Sequence, residues 1–322
     1  MSGDPTARPH VIAYIPHHRG RGMLAAALTS LRAQSVEIGV LVVDNRSTDG
    51  SIAMVLSDFP EVEVCELGAN QGFGRALNAA VRARPAELLL FLNNDVVCDP
   101  DFVAAMLDGL GRRTASVAGV LLQDGDANRI ASAGVVVDRA LGAYDYLFDE
   151  PVASARDAPA PHGPTGGAAL IRLDAFSRVG GFDERIFAYL EDVDLALRLR
   201  CEGSECRLAP TATALHRQAG TLGLHSPHRF ALTGFSRGYL LRRYGVMRDP
   251  RLAPHALARD LAACTAEALF ERTTAGATAR VRGWRAAAGL APRPIPDDLL
   301  GLSIGGTLRL SSRWRRLRRG AH

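Results

Sequence analysis

The stretch LLLFLNNDV, Leu88 to Val96, sets five consecutive apolar residues directly before two amides and a carboxylate. An apolar run of this length without alternation, closed by turn-forming residues, predicts a strand buried on both faces; such strands belong to parallel sheets covered by helices. Two stretches nearer the start read the same way. Val11–Ile15 ends at Pro16 and leads into His17-His18-Arg19, and Val40–Val43 leads into Asp44-Asn45-Arg46. Met23–Ala33, Ser51–Ser57 and Asn70–Ala83 carry apolar residues at helical spacing, the last entered through a glycine-rich turn, and Val62–Glu66 reads as extended. Strands alternating with helices predict an α/β fold with a Rossmann-like, mostly parallel sheet flanked by helices. In such sheets ligands bind beyond the carboxyl ends of the strands. The polar clusters 17–19, 44–46 and 93–95 all fall there.

After a helix expected at Asp101–Arg112 the pattern becomes irregular. Glu150–Pro164, rich in Pro, Ala and Asp, reads as a mobile loop or lid. Order returns at Gly166–Arg172 and in helices expected at Asp174–Val179 and Glu191–Glu202. From about Phe235 the chain is Ala- and Arg-rich and helical, with helices expected at Asp260–Arg272 and Ala279–Ala288. The expected division is a domain over 9–235 and a helical C-terminal extension over 236–322. The extension's last segment, Ser311–His322, carries no acid.

All 38 basic side chains among the 322 residues are arginine, against 34 acids. The absence of lysine excludes a Schiff-base nucleophile, a pyridoxal-phosphate anchor and a P-loop lysine. Any bound anion must meet arginine, histidine, backbone N–H groups or a metal, and proton transfer falls to Asp, Glu, His, Tyr or Cys. Five cysteines without a C-x-x-C pair give neither a disulfide framework nor a zinc site. The polar start and the lack of a run of about 18 apolar residues predict a soluble, cytoplasmic protein.

Three features could carry chemistry, each with a plainer alternative. Gly20-Arg21-Gly22-Met23-Leu24-Ala25 fits the G-x-G-x-x-A of dinucleotide-binding folds, with Asp44 ending the next strand, which would make the chain an NAD-dependent dehydrogenase. It leaves the later acidic clusters unexplained. Asn93, Asn94 and Asp95 suit a divalent cation bridging to a phosphate, and equally suit an Asx-rich turn. Glu191, Asp192 and Asp194 open a helix; one acid there satisfies the helix dipole, and three exceed what capping needs. His216 alone suits a packed or surface histidine as well as a ligand.

Taken in order, VVDNRSTDGS (42–51), NQGFGRALN (70–78), LFLNNDV (90–96), GGAALIRLDAFSRVGGFDERIFAYLEDVDLALRLRCEG (166–203) and the His216 region resemble family 2 glycosyltransferases of the GT-A fold, especially their rhamnosyltransferase-like branch. The resemblance covers about residues 10–245. It implies that Asp44 and Asn45 contact the nucleotide base, and that Gly72 and Gly74 let backbone approach the nucleotide with Arg75 near its phosphates. Asn93 and Asp95 match the family's Asp-x-Asp motif: Asp95 would bind Mg2+ or Mn2+, with Asn93 or Asn94 facing ribose or metal waters. Asp192 would be the catalytic base, beside Glu191 on the acceptor or diphosphate side, and His216 a further metal or diphosphate contact. Two departures stand out. Pro16-His17-His18-Arg19 replaces the usual Thr-Tyr-Asn-Arg, putting Pro16 and His18 at the base-binding turn. Leu215-His216-Arg217-Gln218 replaces a His-His-Gly, leaving Arg217 for a diphosphate contact. Arg237 is placed to touch donor phosphate or acceptor, or to be a solvated helix charge.

The resemblance therefore implies an inverting, metal-dependent transferase. It would move sugar from a dTDP- or UDP-linked donor to a small-molecule, glycan or lipid-linked acceptor, in glycan or secondary-metabolite biosynthesis. A non-catalytic nucleotide- or glycan-binding protein of the same fold is the alternative. No nucleic-acid partner is expected, and a homodimer is compatible with the chain. The six arginines after Asp298, interleaved with Trp314 and Leu317, suit peripheral contact with the inner face of a membrane.

Overall fold

The computed structural model describes residues 10–217 and 226–302. The arginine-rich tail therefore lies outside the described residues. The first half forms as expected: β1 (Val11–His17), α1 (Arg21–Arg32), β2 (Gly39–Asp44), α2 (Ser51–Asp58), β3 (Glu63–Glu66), α3 (Phe73–Ala83) and β4 (Leu88–Leu92). Alternate residues of β1 enter opposite cores, Val11, Ala13 and Ile15 on one face of the sheet and Ile12 and Tyr14 on the other. Both faces are covered, which is why these strands read as continuous apolar runs.

The order β3-β2-β1-β4 is parallel throughout. Beyond β4 the sheet becomes mixed. β5 (Val96–Cys98) precedes α4 (Phe102–Asp108), which falls within the helix expected at 101–112, and β6 (Thr114–Gln123), β7 (Asp126–Ser132), β8 (Val135–Val137) and β9 (Ala143–Asp145) occupy the stretch whose pattern is irregular. They are followed by β10 (Ala168–Arg172), α5 (Leu173–Arg178), α6 (Glu191–Cys201) and β11 (Glu205–His216). β10 inserts antiparallel between β4 and β6, and β11 runs parallel to β6 and antiparallel to β5. β8 and β9 form a separate hairpin.

Residues 150–164 are tied down, which corrects their reading as a loose lid. Ile130 donates to the Glu150 carbonyl, Val135 pairs with Gly163, and the buried His162 accepts from the Val137 N–H at 2.8 Å. The prolines lack the N–H a ladder of their own would need, yet the neighbouring strands supply partners for the residues around them.

Three further helices follow: α7 (Pro227–Arg243), α8 (Ala253–Phe270) and α9 (Ala275–Ala286). The expected division at 235/236 falls within α7. A third core joins Ile186, Val193 and Leu197 to Tyr239, Tyr244, Val246 and Leu252, so the C-terminal helices pack onto the α6 region. Among the described residues no helix is long and apolar enough to cross a membrane.

Candidate active site

Register brings the polar clusters to one edge of the sheet. His17 of β1 lies opposite Asp44 of β2. Asn93, one residue past β4, donates its N–H to the Gly167 carbonyl just before β10. His216 ends β11 opposite Val96, and the Arg217 N–H donates to the Asp95 carbonyl at 2.8 Å. Asp95 and His216 face each other, Oδ1 to Nε2 at 3.3 Å. Asp95 Oδ1 is buried and accepts no hydrogen bond. A buried carboxylate oxygen without a donor is costly unless something cationic completes it. Carboxylate oxygen and imidazole nitrogen together suit Mn2+ or Mg2+, the rest of the shell coming from phosphate and water. Among the described residues no three His, Cys, Asp or Glu side chains gather into a ready-made metal cage. A cation here would need its substrate.

The second carboxylate comes from α6. Tyr189 and Leu190 both sit at φ 67°, a left-handed pair of non-glycine residues that turns the chain abruptly into the helix. Such residues cost of order 1–3 kcal/mol each and persist where the surroundings hold them. The turn aims Asp192 back at the sheet edge: its Oδ2 accepts the Gly166 N–H at 3.0 Å and its Oδ1 the Val193 N–H at 2.8 Å. Burial raises the Asp192 carboxyl against those N–H groups, which hold it down. Glu191 is buried with Oε2 unpaired, and burial, then the Asp192 charge, pushes it up to about 8. The third acid is structural. Asp194 is fully buried and held by Arg198, Arg293 and Tyr244.

Asp145 of β9 joins the site, although nothing in its sequence surroundings marks it. It pairs with Val135, Val135 pairs with Gly163, and a Cβ on Gly163 would lie 2.3 Å from Cβ of Ala196, one turn beyond Asp192 on α6. Burial and then the Asp192 charge push the Asp145 carboxyl up to about 6, while Ser132, His216 and Arg229 act to lower it. His17 is the other residue missed. It is buried, accepts from the Asn94 amide at Nδ1 (2.8 Å), and leaves Nε2 without a partner; burial lowers its pKa. The signal for it was its place in the His17-His18 pair beyond β1.

Several expected ligand contacts are engaged within the protein. Asn45 accepts the Gln71 N–H and donates to the Gly72 carbonyl, bracing the glycine turn. His18 Nδ1 lies 2.9 Å from the Asn45 carbonyl, and Asp44 accepts the Ser47 N–H. Gly72, at φ 81°, is approached by protein: a Cβ would sit 2.2 Å from the Phe187 carbonyl oxygen. At Gly74 it would meet Phe182 at 2.7 Å. Both glycines thus admit the 182–187 segment. Arg75 is exposed near Glu184, 3.6 Å away, and Arg217 is exposed at the rim. Pro16 is half-buried at the end of β1. Arg237 is neither a solvated charge nor aimed at the site. It is buried, bonded to Asp260 and to the carbonyls of Ala140 and Leu141.

The glycines of G-x-G-x-x-A also serve the protein itself. Asp49 Oδ2 accepts the N–H groups of Gly20 and Arg21, at 2.8 and 3.2 Å. The N-terminus of α1, where a dinucleotide would place its pyrophosphate, is capped by an internal carboxylate. Two Rossmann halves would also need a sheet that stays parallel past β4. The dehydrogenase reading fails on both counts.

The family model described as Glycosyl transferase family 2 matches residues 13–180. An N-acetylglucosaminyl-diphospho-decaprenol L-rhamnosyltransferase of Mycobacterium tuberculosis is 32% identical over 211 residues, covering 58% of this chain and 68% of that protein. A dTDP-rhamnosyl transferase of Shigella flexneri is 23% identical, covering 64% of this chain and 67% of that protein. In fold the chain is similar to a mannosyltransferase of Pyrobaculum calidifontis solved with GDP-Man and Mn2+. That match has a TM-score of 0.54 at 18% identity and covers 98% of this chain and 82% of the other.

Proposed function

The chain belongs to glycosyltransferase family 2, and we propose that it transfers a sugar from a nucleoside diphosphate to an acceptor hydroxyl, with inversion and with the help of a divalent cation. The observation that carries this is the placement of two differently treated carboxylates on one sheet edge. Asp95, paired with His216, is left open for a cation, whereas Asp192 is held by two N–H groups beside the buried Glu191. Asp192 would take the acceptor proton as that oxygen attacks the anomeric carbon, a displacement needing one base on the side opposite the leaving group. Its N–H bonds fix the carboxylate's direction, and burial raises its pKa, which strengthens it as a proton acceptor. Asp95 and His216 would hold Mg2+ or Mn2+, which supplies Lewis-acid stabilisation of the departing diphosphate. Arg217, beside Asp95, and Arg75 on α3 would be cationic contacts for phosphate in a chain without lysine.

The names of the rhamnosyltransferase relatives support a dTDP-linked deoxyhexose donor and a lipid-linked glycan acceptor. The deciding experiment screens dTDP-, UDP- and GDP-sugars for release of free nucleoside diphosphate, with and without Mn2+. We expect metal-dependent release from a dTDP- or UDP-sugar, lost on chelation. Calorimetry should show that Asp192→Asn binds donor with the parent's affinity while turnover falls at least about a hundredfold. Undiminished turnover in that variant would refute the role of Asp192, and donor binding with no release in the parent would make the protein a binding module.

A further inference from the structure

α8 is turned inside out for a helix in water. Its three charged residues face the protein: Arg259 pairs with Asp138, Asp260 with Arg237 and Arg280, and Glu267 with Arg280. Its outward stripe, at four-residue spacing, is Leu257, Leu261, Thr265 and Leu269, and Phe270 adjoins it. Leu261, Leu269 and Phe270 are 70%, 68% and 75% exposed, and Ala256 is the one buried residue of the helix. An apolar stripe of three helical turns left in solvent marks a surface built for an apolar partner.

We propose that this face of α8 seats the protein on an anionic lipid bilayer. Charge selects the occupant. Residues 226–322 carry eighteen arginines against six acids, whereas residues 1–225 carry twenty against twenty-eight. A second copy docked through the same face would bring two strongly basic segments together; an anionic membrane brings the opposite sign. The path of the chain agrees. Leu300 pairs with Val137 and Arg139, next to the Asp138 that Arg259 of α8 holds, so the described chain ends beside this helix. The twenty residues that follow Leu302 contain six arginines and no acid. An apolar helix face beside the point where the described chain ends, and a following sequence of six arginines without an acid, are two signals, and membrane attachment through either alone is weak. The inference is independent of the transferase reading, since α8 does not enter the candidate site.

The test is co-sedimentation of the full chain with phosphatidylcholine vesicles, with and without phosphatidylglycerol. Capture should require the anionic lipid, weaken with salt, and fall at least about tenfold in the double variant Leu261→Glu and Leu269→Glu. Circular dichroism and nucleoside-diphosphate release from donor should match the parent, since both side chains lie in solvent. A second double variant, Leu261→Ser and Leu269→Ser, should lose capture without added negative charge. Absent capture by anionic vesicles, or equal capture of parent and both variants, overturns the proposal. So does a parent dimer in analytical ultracentrifugation that the variants dissociate while vesicle capture is unchanged, which would assign the face to a second copy.

Discussion

At the residue scale the site is a set of carboxylates held at different protonation states by their surroundings. Glu191, pushed up to about 8, is neutral at pH 7, whereas Asp145, pushed up to about 6, is mostly ionised. A proton held by the folded state above pH 4.5 makes folding proton-linked. The folded chain then binds more protons than the unfolded chain between about pH 4.5 and 8, so stability falls as pH rises through that window and levels off above it. Glu191→Gln removes the titration, and its melting temperature, followed in chelator across pH 5 to 9, should decline less than the parent's by a few degrees. The same logic extends to Asp145. Its negative charge near Asp192 disfavours ionisation of the proposed base. Asp145→Asn should therefore move the acidic limb of the pH–rate profile to lower pH, the direction opposite to a general loss of activity. A profile that keeps its acidic limb while losing height would show that Asp145 serves only to hold the β8–β9 hairpin.

At the scale of elements, two sequence blocks prove to be halves of one structure. Asn78 of α3 exchanges hydrogen bonds with the backbone of Phe182, accepting its N–H and donating to its carbonyl, both at 2.9 Å. Phe73 donates to the Phe187 carbonyl at 2.8 Å. The glycine turn before α3 thereby fixes the approach to α6 and, through it, the direction of Asp192. Gly72→Ala places a methyl 2.2 Å from that carbonyl oxygen at φ 81°, so the turn must open. We expect a loss of roughly 1–3 kcal/mol in chemical denaturation, and a fall in kcat larger than any rise in donor KM, because the displaced element carries the proposed base, Asp192. Local pattern made half of this visible. Apolar runs at β1, β2 and β4 announced a sheet buried on both faces, and the polar clusters at their ends announced the site. The stretch from β5 to β9 gave no such signal. β7 begins with four exposed residues, and β8 and β9 have three residues each. Strands that short are defined by their partners, so Asp145 could not be placed before the fold was. The glycines were legible as necessary, but what approaches them lies 115 and 108 residues further along the chain, Phe187 at Gly72 and Phe182 at Gly74. That contact is tertiary.

At the scale of the molecule, Arg293 joins the C-terminal helices to the catalytic half. Its guanidinium contacts Asp194 at 2.5 Å and Asp183 at 3.0 Å, and both carboxylates are buried. Tyr244 of the C-terminal segment donates to Asp194, and Tyr239 of α7 donates to Asp183 at 2.7 Å. Asp194 lies two residues beyond Asp192 on α6, and Asp183 follows the Gly180-Gly181-Phe182 turn. The arginine thus clamps both ends of the segment that carries Asp192. Replacing it with methionine keeps most of the stem's packing and removes the charge. Two buried carboxylates then share fewer positive partners, and breaking a buried pair by deleting one member costs roughly 3–5 kcal/mol. Arg198 remains on Asp194, so the lower end of that range is expected. The pH dependence distinguishes an electrostatic clamp from a packing defect. In the parent, burial works to raise the Asp183 carboxyl, but the Tyr239 hydroxyl, the Arg185 N–H and the Arg293 charge hold it below its usual value. Such a depressed group contributes stability that is present above its unfolded pKa and lost as pH falls through its folded one. Arg293→Met should therefore be most destabilised relative to the parent near pH 7, with the gap closing towards about pH 4 as the stranded Asp183 carboxylate takes up its proton. Urea unfolding of both proteins at pH 7 and pH 4 measures this directly. A gap of equal size at the two pH values would mean that Arg293 acts by filling space, and the electrostatic link between the C-terminal helices and the Asp192 segment would have to be abandoned.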